Sequence, residues 1–303
     1  MEHKMITILG TTATGKTRLA VQLAALIGGE IISADSRQVY RGMDLGTGKD
    51  LDDFTVDGKQ IPYHLIDIVD AGYEFNVYEY QQRFFDAYKE VVERGSIPVL
   101  VGGSGMYIEA VLKGYRMAKV PRNEALRLRL AKKTDEELVA ILLQHRILHN
   151  TTDTSDRERT LRAIEIDEYY REHPELLQDI PKITSVNFGI RFDRAEIRNR
   201  ITARLDQRLN SGMVDEVQRL LDEGVSPEML KFYGLEYKFI TQYLLGELEY
   251  NEMFMLLNTA IHQFAKRQET WWRRMEKNGI RIHWLDGQIS DQEKIALILG
   301  RLR

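Results

Sequence analysis

The stretch Lys4–Thr17 reads KMITILGTTATGKT, and its interpretation decides the fold. Met5 to Leu9 is a short apolar run with β-branched residues, the pattern of a buried strand. It leads into Gly10-Thr11-Thr12-Ala13-Thr14-Gly15-Lys16-Thr17, a full match to G-x-x-x-x-G-K-[ST], and Arg18 to Ile27 supplies a helix. Strand, glycine-rich turn and helix in that order is the setting in which this motif cradles phosphate. Gly10 and Gly15 permit backbone angles that turn several N–H groups toward one oxyanion, at the positive end of a helix dipole. Lys16 adds a point charge, and the Thr17 hydroxyl can ligate a Mg²⁺ ion shared with the phosphates. All the residues from Gly10 to Thr17 are therefore expected to hold a diphosphate or triphosphate. A chance Gly/Thr turn would not need every motif position matched in this setting. The loop does not say which anion it takes, nor what is transferred.

The bulk numbers bound the remaining possibilities. A chain of 303 residues suggests one large domain with an insertion, or two domains. An apolar fraction of 43% is ample for a globular core. Nothing reaches the roughly 18 apolar residues of a membrane span, and the N-terminal order is not that of a signal peptide, so no membrane partner is expected. The absence of cysteine excludes disulfides, thiolate catalysis and Cys-ligated zinc, and fits a cytoplasmic location. With a net charge of −4, any nucleic-acid site must be a local basic patch.

Further along, Glu30 to Ser33 reads as a second strand, ending in Ala34-Asp35-Ser36-Arg37-Gln38. Ligands of open α/β sheets sit beyond the carboxyl ends of the strands, so Asp35 is expected beside the phosphate loop. There it could serve as a base or as an outer partner of a metal; a turn or N-cap aspartate is the competing reading. Arg41 to Gln60 reads as a long loop. In Pro62–Asp67 a short apolar stem ends in an aspartate, with His64 open to a structural or a functional role. Val77 to Glu93 is an amphipathic helix with a core-facing aromatic face. Gly95 to Val101 is a third buried strand, running into Gly102-Gly103-Ser104-Gly105 and a further helix. Ser104 offers a hydroxyl at that helix start, although a packing turn explains the glycines equally well.

From Lys113 the composition changes. Residues 113–133 hold eight basic side chains against one acid, Glu124, a local charge of +7. Such asymmetry favours contact with a phosphate backbone. Helical periodicity runs from Glu124 to Glu172 without a strand signal, and Ser155-Asp156 caps a helix carrying Arg157, Arg159 and Arg162. Ile183 to Phe192 restores a strand. In the helix that follows, Arg200, Arg204 and Arg208 recur every four residues and share a face. Gly212 to Leu221 continues as helix, Lys231 to Lys238 is a turn and helix start, Asn251 to Met275 is a long helix, and Ile280 to Leu285 closes as a strand. The expected architecture is α/β: a P-loop-like parallel sheet core with helices on both faces, formed by 1–112 and 183–303, and an inserted all-helical domain at 113–182.

Taken together, GTTATGKT (10–17), DSRQVYRGMDLGTGK (35–49), YHLID (63–67), VGGSGMY (101–107), SDRERTLRAIEI (155–166), RNRITARLDQRLNSGMVDEV (198–217) and AKRQETWWRR (265–274) resemble the tRNA dimethylallyltransferases, also called tRNA isopentenyltransferases. The resemblance implies transfer of a dimethylallyl group from dimethylallyl diphosphate to N6 of the adenosine 3′-adjacent to the anticodon, with Mg²⁺. It implies a monomer whose insert grips the anticodon stem-loop of tRNA. Asp35 would be the base, acting with Ser104, Lys16 and Arg204; Arg200 and Arg204 would join the loop in holding diphosphate. Asp35, Ser36, Arg37, Gln38 and Ser104, then Arg122, Glu158, Arg159, Thr160, Leu161 and Arg162, and finally Lys266 and Arg267 would meet the RNA. The chain departs from the family pattern at Thr11 (usually Pro), Ser104 (usually Thr), Arg157 (usually Pro) and Ile261-His262-Gln263 (usually T-R-Q). Other readings are a P-loop kinase of a nucleotide or small molecule, an adenylate isopentenyltransferase, and a non-catalytic RNA-binding module.

Overall fold

The computed structural model describes residues 5–144, 154, 156–177 and 179–302; Ser155, expected to cap a helix, lies outside them. The chain divides into two compact units, Met1–Lys113 with Lys182–Arg303, and Gly114–Pro181.

The first unit is built on strands β1 (Met5–Gly10), β2 (Gly29–Ala34), β5 (Tyr63–His64), β6 (Ile97–Gly102), β7 (Ser185–Arg191) and β8 (Ile282–Asp286). They form one sheet in the order β5-β2-β6-β1-β7-β8, and every pairing is parallel. All six residues of β1 are buried, as a central parallel strand covered on both faces requires. On one face lie α1 (Lys16–Ile27) and α12 (Asp291–Leu302), whose Leu19, Leu23, Ile295 and Ile298 pack on Ile6, Ile8, Ile31 and Val99. The opposite face carries α2 (Val77–Glu93), α3 (Gly105–Leu112), α7 (Arg194–Asn210), α8 (Met213–Asp222), α9 (Pro227–Tyr233), α10 (Leu235–Leu244) and α11 (Tyr250–Lys277). The α/β class with helices on both faces is as expected.

Two differences from the sequence reading are local. The expected loop at 41–60 contains a 3-10 turn (Leu51–Phe54) and a hairpin of two-residue strands, β3 (Thr55–Val56) and β4 (Lys59–Gln60), too short to leave a periodic signal. The stem at 62–67 forms only the two-residue β5, and beyond it the Asp67 carboxylate accepts from the Lys49 ammonium, which also donates to Tyr40 O and Asp44 Oδ1 at 2.7 Å each. His64 bonds the buried Glu30 carboxylate at 2.8 Å beside Arg94. Burial opposes the Glu30 charge, but the bonds from Arg94 and His64 outweigh it and hold the pKa down to about 2. This histidine is structural.

The second unit contains α4 (Glu124–Leu130), α5 (Asp135–Leu143) and α6 (Arg157–Glu172). Its small core is Leu126, Leu130, Leu138, Leu142, Leu161, Ala163 and Ile164. Thr134 and Glu137 form a reciprocal capping box at the start of α5. Part of the +7 charge is paired within this unit, for Arg127 and Arg129 with acids distant in sequence and for Arg122 and Lys133 with near neighbours. Arg127 grips the buried Glu165 through Nε at 2.6 Å and reaches Glu158 through Nη1 at 2.6 Å; Arg129 pairs with Glu168, Arg122 with Glu124, and Lys133 with Glu137. Burial works against the Glu165 carboxylate, yet Arg127 and Arg162 outweigh it and keep its pKa below the usual range. Replacing Arg127 with methionine leaves that carboxylate short of a cation and is expected to cost about 3 kcal/mol, measurable by urea unfolding followed on this unit's signals.

Candidate active site

The carboxyl ends of β1, β2 and β6 adjoin, and a cleft of about 100 Å³ opens there. Gly10 ends β1 where an added Cβ would lie 3.0 Å from Thr14 Oγ1 and 3.1 Å from Ile190 O, so the loop needs glycine to leave the sheet. Ala13 adopts φ 62° and Gly15 φ 76°, left-handed turns that coil the loop. For alanine that conformation is strained, a cost of order 1 kcal/mol met at functional loops. The helix α1 starts at Lys16 with no side-chain cap, so its first N–H groups are left to an anion. The Thr14 hydroxyl donates to Thr11 O at 2.9 Å, and Lys16 Nζ to the same oxygen at 3.3 Å.

The cleft sets Lys16, Arg18 and Arg204 against Asp35, Asp50 and Asp53. Thr12 through Thr17 line it together with Arg204; Gly10 and Thr11 build the turn behind them. Enclosure in the cleft pushes the Lys16 ammonium down to about 8, with Arg204 and Arg208 adding to the fall and Asp35 opposing it. Burial, then Arg208, pushes the Arg204 guanidinium down to about 10. Both shifts express charge held ready for an anion at some cost. The arginine stripe of α7 divides its work. Arg204 donates to the Thr12 hydroxyl and faces the cleft. Arg200, expected on the diphosphate, donates to Ala13 O at 2.9 Å from outside the loop and lies 4.5 Å over Phe192. Arg208 pairs with Asp50 at 3.0 Å.

On the other wall Asp35 follows β2 and Ser104 precedes α3. Glycine at 102 lets the two strand ends meet, since a Cβ there would stand 2.1 Å from Ala34 O. Ser104 Oγ accepts from Ser36 N at 2.9 Å, and Asp35 Oδ1 accepts from Arg37 N at 2.9 Å. Asp35 is thus a turn aspartate that also lines the cleft. Gln38 is buried where it lines the cleft, accepting from the Ser33 hydroxyl and donating to Gly48 O. Arg37 is held by Phe232 O at 3.2 Å with its guanidinium 5.5 Å from the Phe232 ring.

The remaining expected RNA contacts divide by exposure. Lys266 and Arg267 are exposed on α11, as are Arg122, Glu158 and Arg159 in the second unit. Thr160 and Leu161 are 3% and 6% exposed, turned into the small core by the helical period of α6, and are not an RNA surface. Arg162 is committed to Glu165 at 3.0 Å and Val120 O at 2.7 Å. His262 donates to Arg198 O at 3.3 Å.

Sequence reasoning missed Gln268 and Trp271. Gln268 Oε1 accepts from Thr12 N at 2.9 Å, and its Nε2 donates to Gly103 O at 2.9 Å. Trp271 lies against Gly105, at 2.4 Å from a notional Cβ. A signal existed: Gln268 falls in the buried stripe Ile261, Ala265, Gln268, Trp272, where a polar side chain has to find partners. A loop hold of the same kind comes from Glu216, which accepts the N–H groups of Asp44, Leu45 and Gly46.

The model of the IPP transferase family matches residues 38–275. A tRNA dimethylallyltransferase of Bacteroides fragilis is 55% identical over 302 residues, covering 100% of this chain and 99% of its own. One from Geotalea daltonii is 56% identical over 288 residues, covering 95% and 92%. Among solved structures, a tRNA isopentenylpyrophosphate transferase from Bacillus halodurans is similar with a TM-score of 0.72 at 30% identity, covering 99% of this chain and 96% of that one. A eukaryotic dimethylallyltransferase acting on tRNA shares the fold with a TM-score of 0.78 at 22% identity, covering 99% and 80%.

Proposed function

The chain belongs to the IPP transferase family and is a tRNA-prenylating enzyme, and from that premise we propose that it moves a dimethylallyl group from dimethylallyl diphosphate to N6 of the adenosine 3′-adjacent to the anticodon, releasing diphosphate. The observation that carries this reading is that one cleft joins a phosphate loop to the Asp35 carboxylate. A prenyl donor and an amine acceptor need these two halves.

The transferred carbon is allylic, so positive charge delocalises as its bond to diphosphate lengthens. The barrier then depends on stabilising the departing oxyanion, which the loop amides, Lys16 and Arg204 would do in a site shielded from water. An exocyclic amine is weakly basic and must shed a proton as the new bond forms. Asp35 accepts it, once N6 comes within about 2.6–3.2 Å of the carboxylate. Reaching the cleft requires the base to leave its stack, at a few kcal/mol. Arg122, Glu158, Arg159, Lys266 and Arg267 are the exposed groups offered to the anticodon stem-loop. Ser104 holds the Asp35 turn in place.

A magnesium ion fits the residues present. The Thr17 hydroxyl and the Asp35 carboxylate are hard oxygen donors on the same cleft. Among the described residues no group of three or more His, Cys, Asp or Glu gathers as an all-protein cage. Mg²⁺ is normally held that way, by few protein oxygens and by phosphate. Thr17 would hold the ion with the diphosphate, where its charge neutralises the leaving group. Among the described residues no helix is long and apolar enough to cross a membrane; a monomer working in the cytoplasm is part of this proposal.

The deciding experiment mixes the protein with labelled dimethylallyl diphosphate and an anticodon stem-loop bearing A-A-A. Label is expected in the RNA. ATP turnover on a small acceptor, with unlabelled RNA, would support a kinase instead. A pH prediction follows from Lys16, whose anion-binding form is the protonated one. With its pKa near 8 in the free enzyme, kcat/KM for the donor should fall as pH rises through that value, and hold below it. A flat profile through the alkaline range would remove Lys16 from donor capture.

A further inference from the structure

Resting on the prenyl-transfer reading, we propose that Gln268 is a positioning residue that sets the spacing between the diphosphate cradle and the Asp35–Ser104 acceptor wall. Beyond Gly10 and Gly102 the sheet ladder ends, and the two turns that carry the chemistry are no longer paired to each other. One carboxamide bridges them. Its oxygen takes the Thr12 N–H, its nitrogen gives a hydrogen to Gly103 O, both at 2.9 Å, so the amide has a single satisfying orientation.

The bridge extends on each side through named groups. On the donor side the Thr12 hydroxyl accepts from Arg204. On the acceptor side Gly103 is followed by Ser104, whose Oγ holds Ser36 N next to Asp35. Gln268 is 7% exposed and rides on α11 between Ala265 and Trp272, themselves 6% and 1% exposed, so it cannot swing to another rotamer without breaking the core. The fit is close: a Cβ at Gly103 would lie 2.6 Å from Gln268 Nε2. A satisfied polar residue in a core stripe would also show these two bonds if its role were packing alone. The difference is that a positioning role acts on rate and a packing role acts on stability.

The test uses the full-length enzyme with Gln268→Met, which keeps the shape and removes both bonds, and Gln268→Glu, which keeps an acceptor for Thr12 N–H and loses the donor to Gly103 O. Misplacing reacting groups by about 1 Å costs about 100-fold, so kcat of Q268M should fall by that order while KM for tRNA and donor moves by less than about threefold. Q268E should share the kcat loss and, because its carboxylate adds negative charge beside the cradle, raise KM for the donor while KM for tRNA holds; it also carries the test if Q268M fails to fold. In single turnovers with Asp35→Ala, adding Q268M should cost little more, because residues acting through one geometry are not additive. Wild-type kcat in both variants overturns the proposal, as does a loss that multiplies with D35A and tracks a lowered Tm. If the wild type itself leaves the stem-loop unlabelled, the prenyl-transfer reading falls and takes this inference with it; a labelled wild type beside an undiminished Q268M removes the inference alone.

Discussion

Asp35→Ala is expected to lower turnover by about 10²–10⁴, the range general-base catalysis contributes, while tRNA affinity stays near the wild-type value. The amine attacks an electron-poor carbon and becomes cationic unless its proton is removed, so the loss falls on the chemical step. Asp35 also shapes its own turn by accepting Arg37 N–H at Oδ1. Asp35→Asn therefore makes the sharper comparison. It retains an oxygen for that bond and cannot take up a proton. Equal losses in the Asn and Ala variants, with unchanged binding to a stem-loop in filter or anisotropy assays, assign the loss to proton acceptance. A nearly active Asn variant would reduce Asp35 to a turn residue.

Lys16→Met is the second large effect: a fall of about 10²–10³ in kcat, the size seen when one donor to a developing oxyanion is removed, with weaker donor binding besides. The ammonium is held in the cleft at a cost visible in its pKa of about 8. That cost is recovered only when an anion arrives. Inorganic diphosphate should accordingly bind the variant more weakly than the wild type by calorimetry, and stem-loop affinity should change little. Lys16→Arg is not an equivalent substitution. Its planar fork is larger and cannot keep the single-point contact with Thr11 O seen for Lys16 Nζ at 3.3 Å.

How much of this was legible without coordinates depends on the sequence distance over which each feature is encoded. The strand, loop and helix of residues 5–27 are written locally, in the missing Cβ at Gly10, the left-handed turn at Gly15 and side-chain periodicity, so their place in a parallel α/β sheet could be read directly. Asp35 and Ser104 could be read almost as well, because both stand at the carboxyl end of a recognisable strand. Thr160 and Leu161 could not. Motif position alone does not tell which side of a helix faces a core, and α6 turns them inward.

The basic run at 113–133 was only partly legible for a related reason. A local charge count cannot see Glu158, Glu165 and Glu168, which lie some three to four tens of residues away and meet Arg127 and Arg129 only after folding, as separations of 31, 38 and 39 show. Gln268 is the extreme case, 256 positions from Thr12 and 165 from Gly103. The amino-acid sequence by itself determined the phosphate cradle, the sheet and the identity of the acid–base candidate, since each follows from short-range backbone and pattern constraints. Only the tertiary structure decided which arginines are spent on internal carboxylates and which face the cleft, and that one buried amide spans its two walls. Hydrogen-bond and ion-pair partners are chosen by proximity in space, and that proximity exists only once the core has packed.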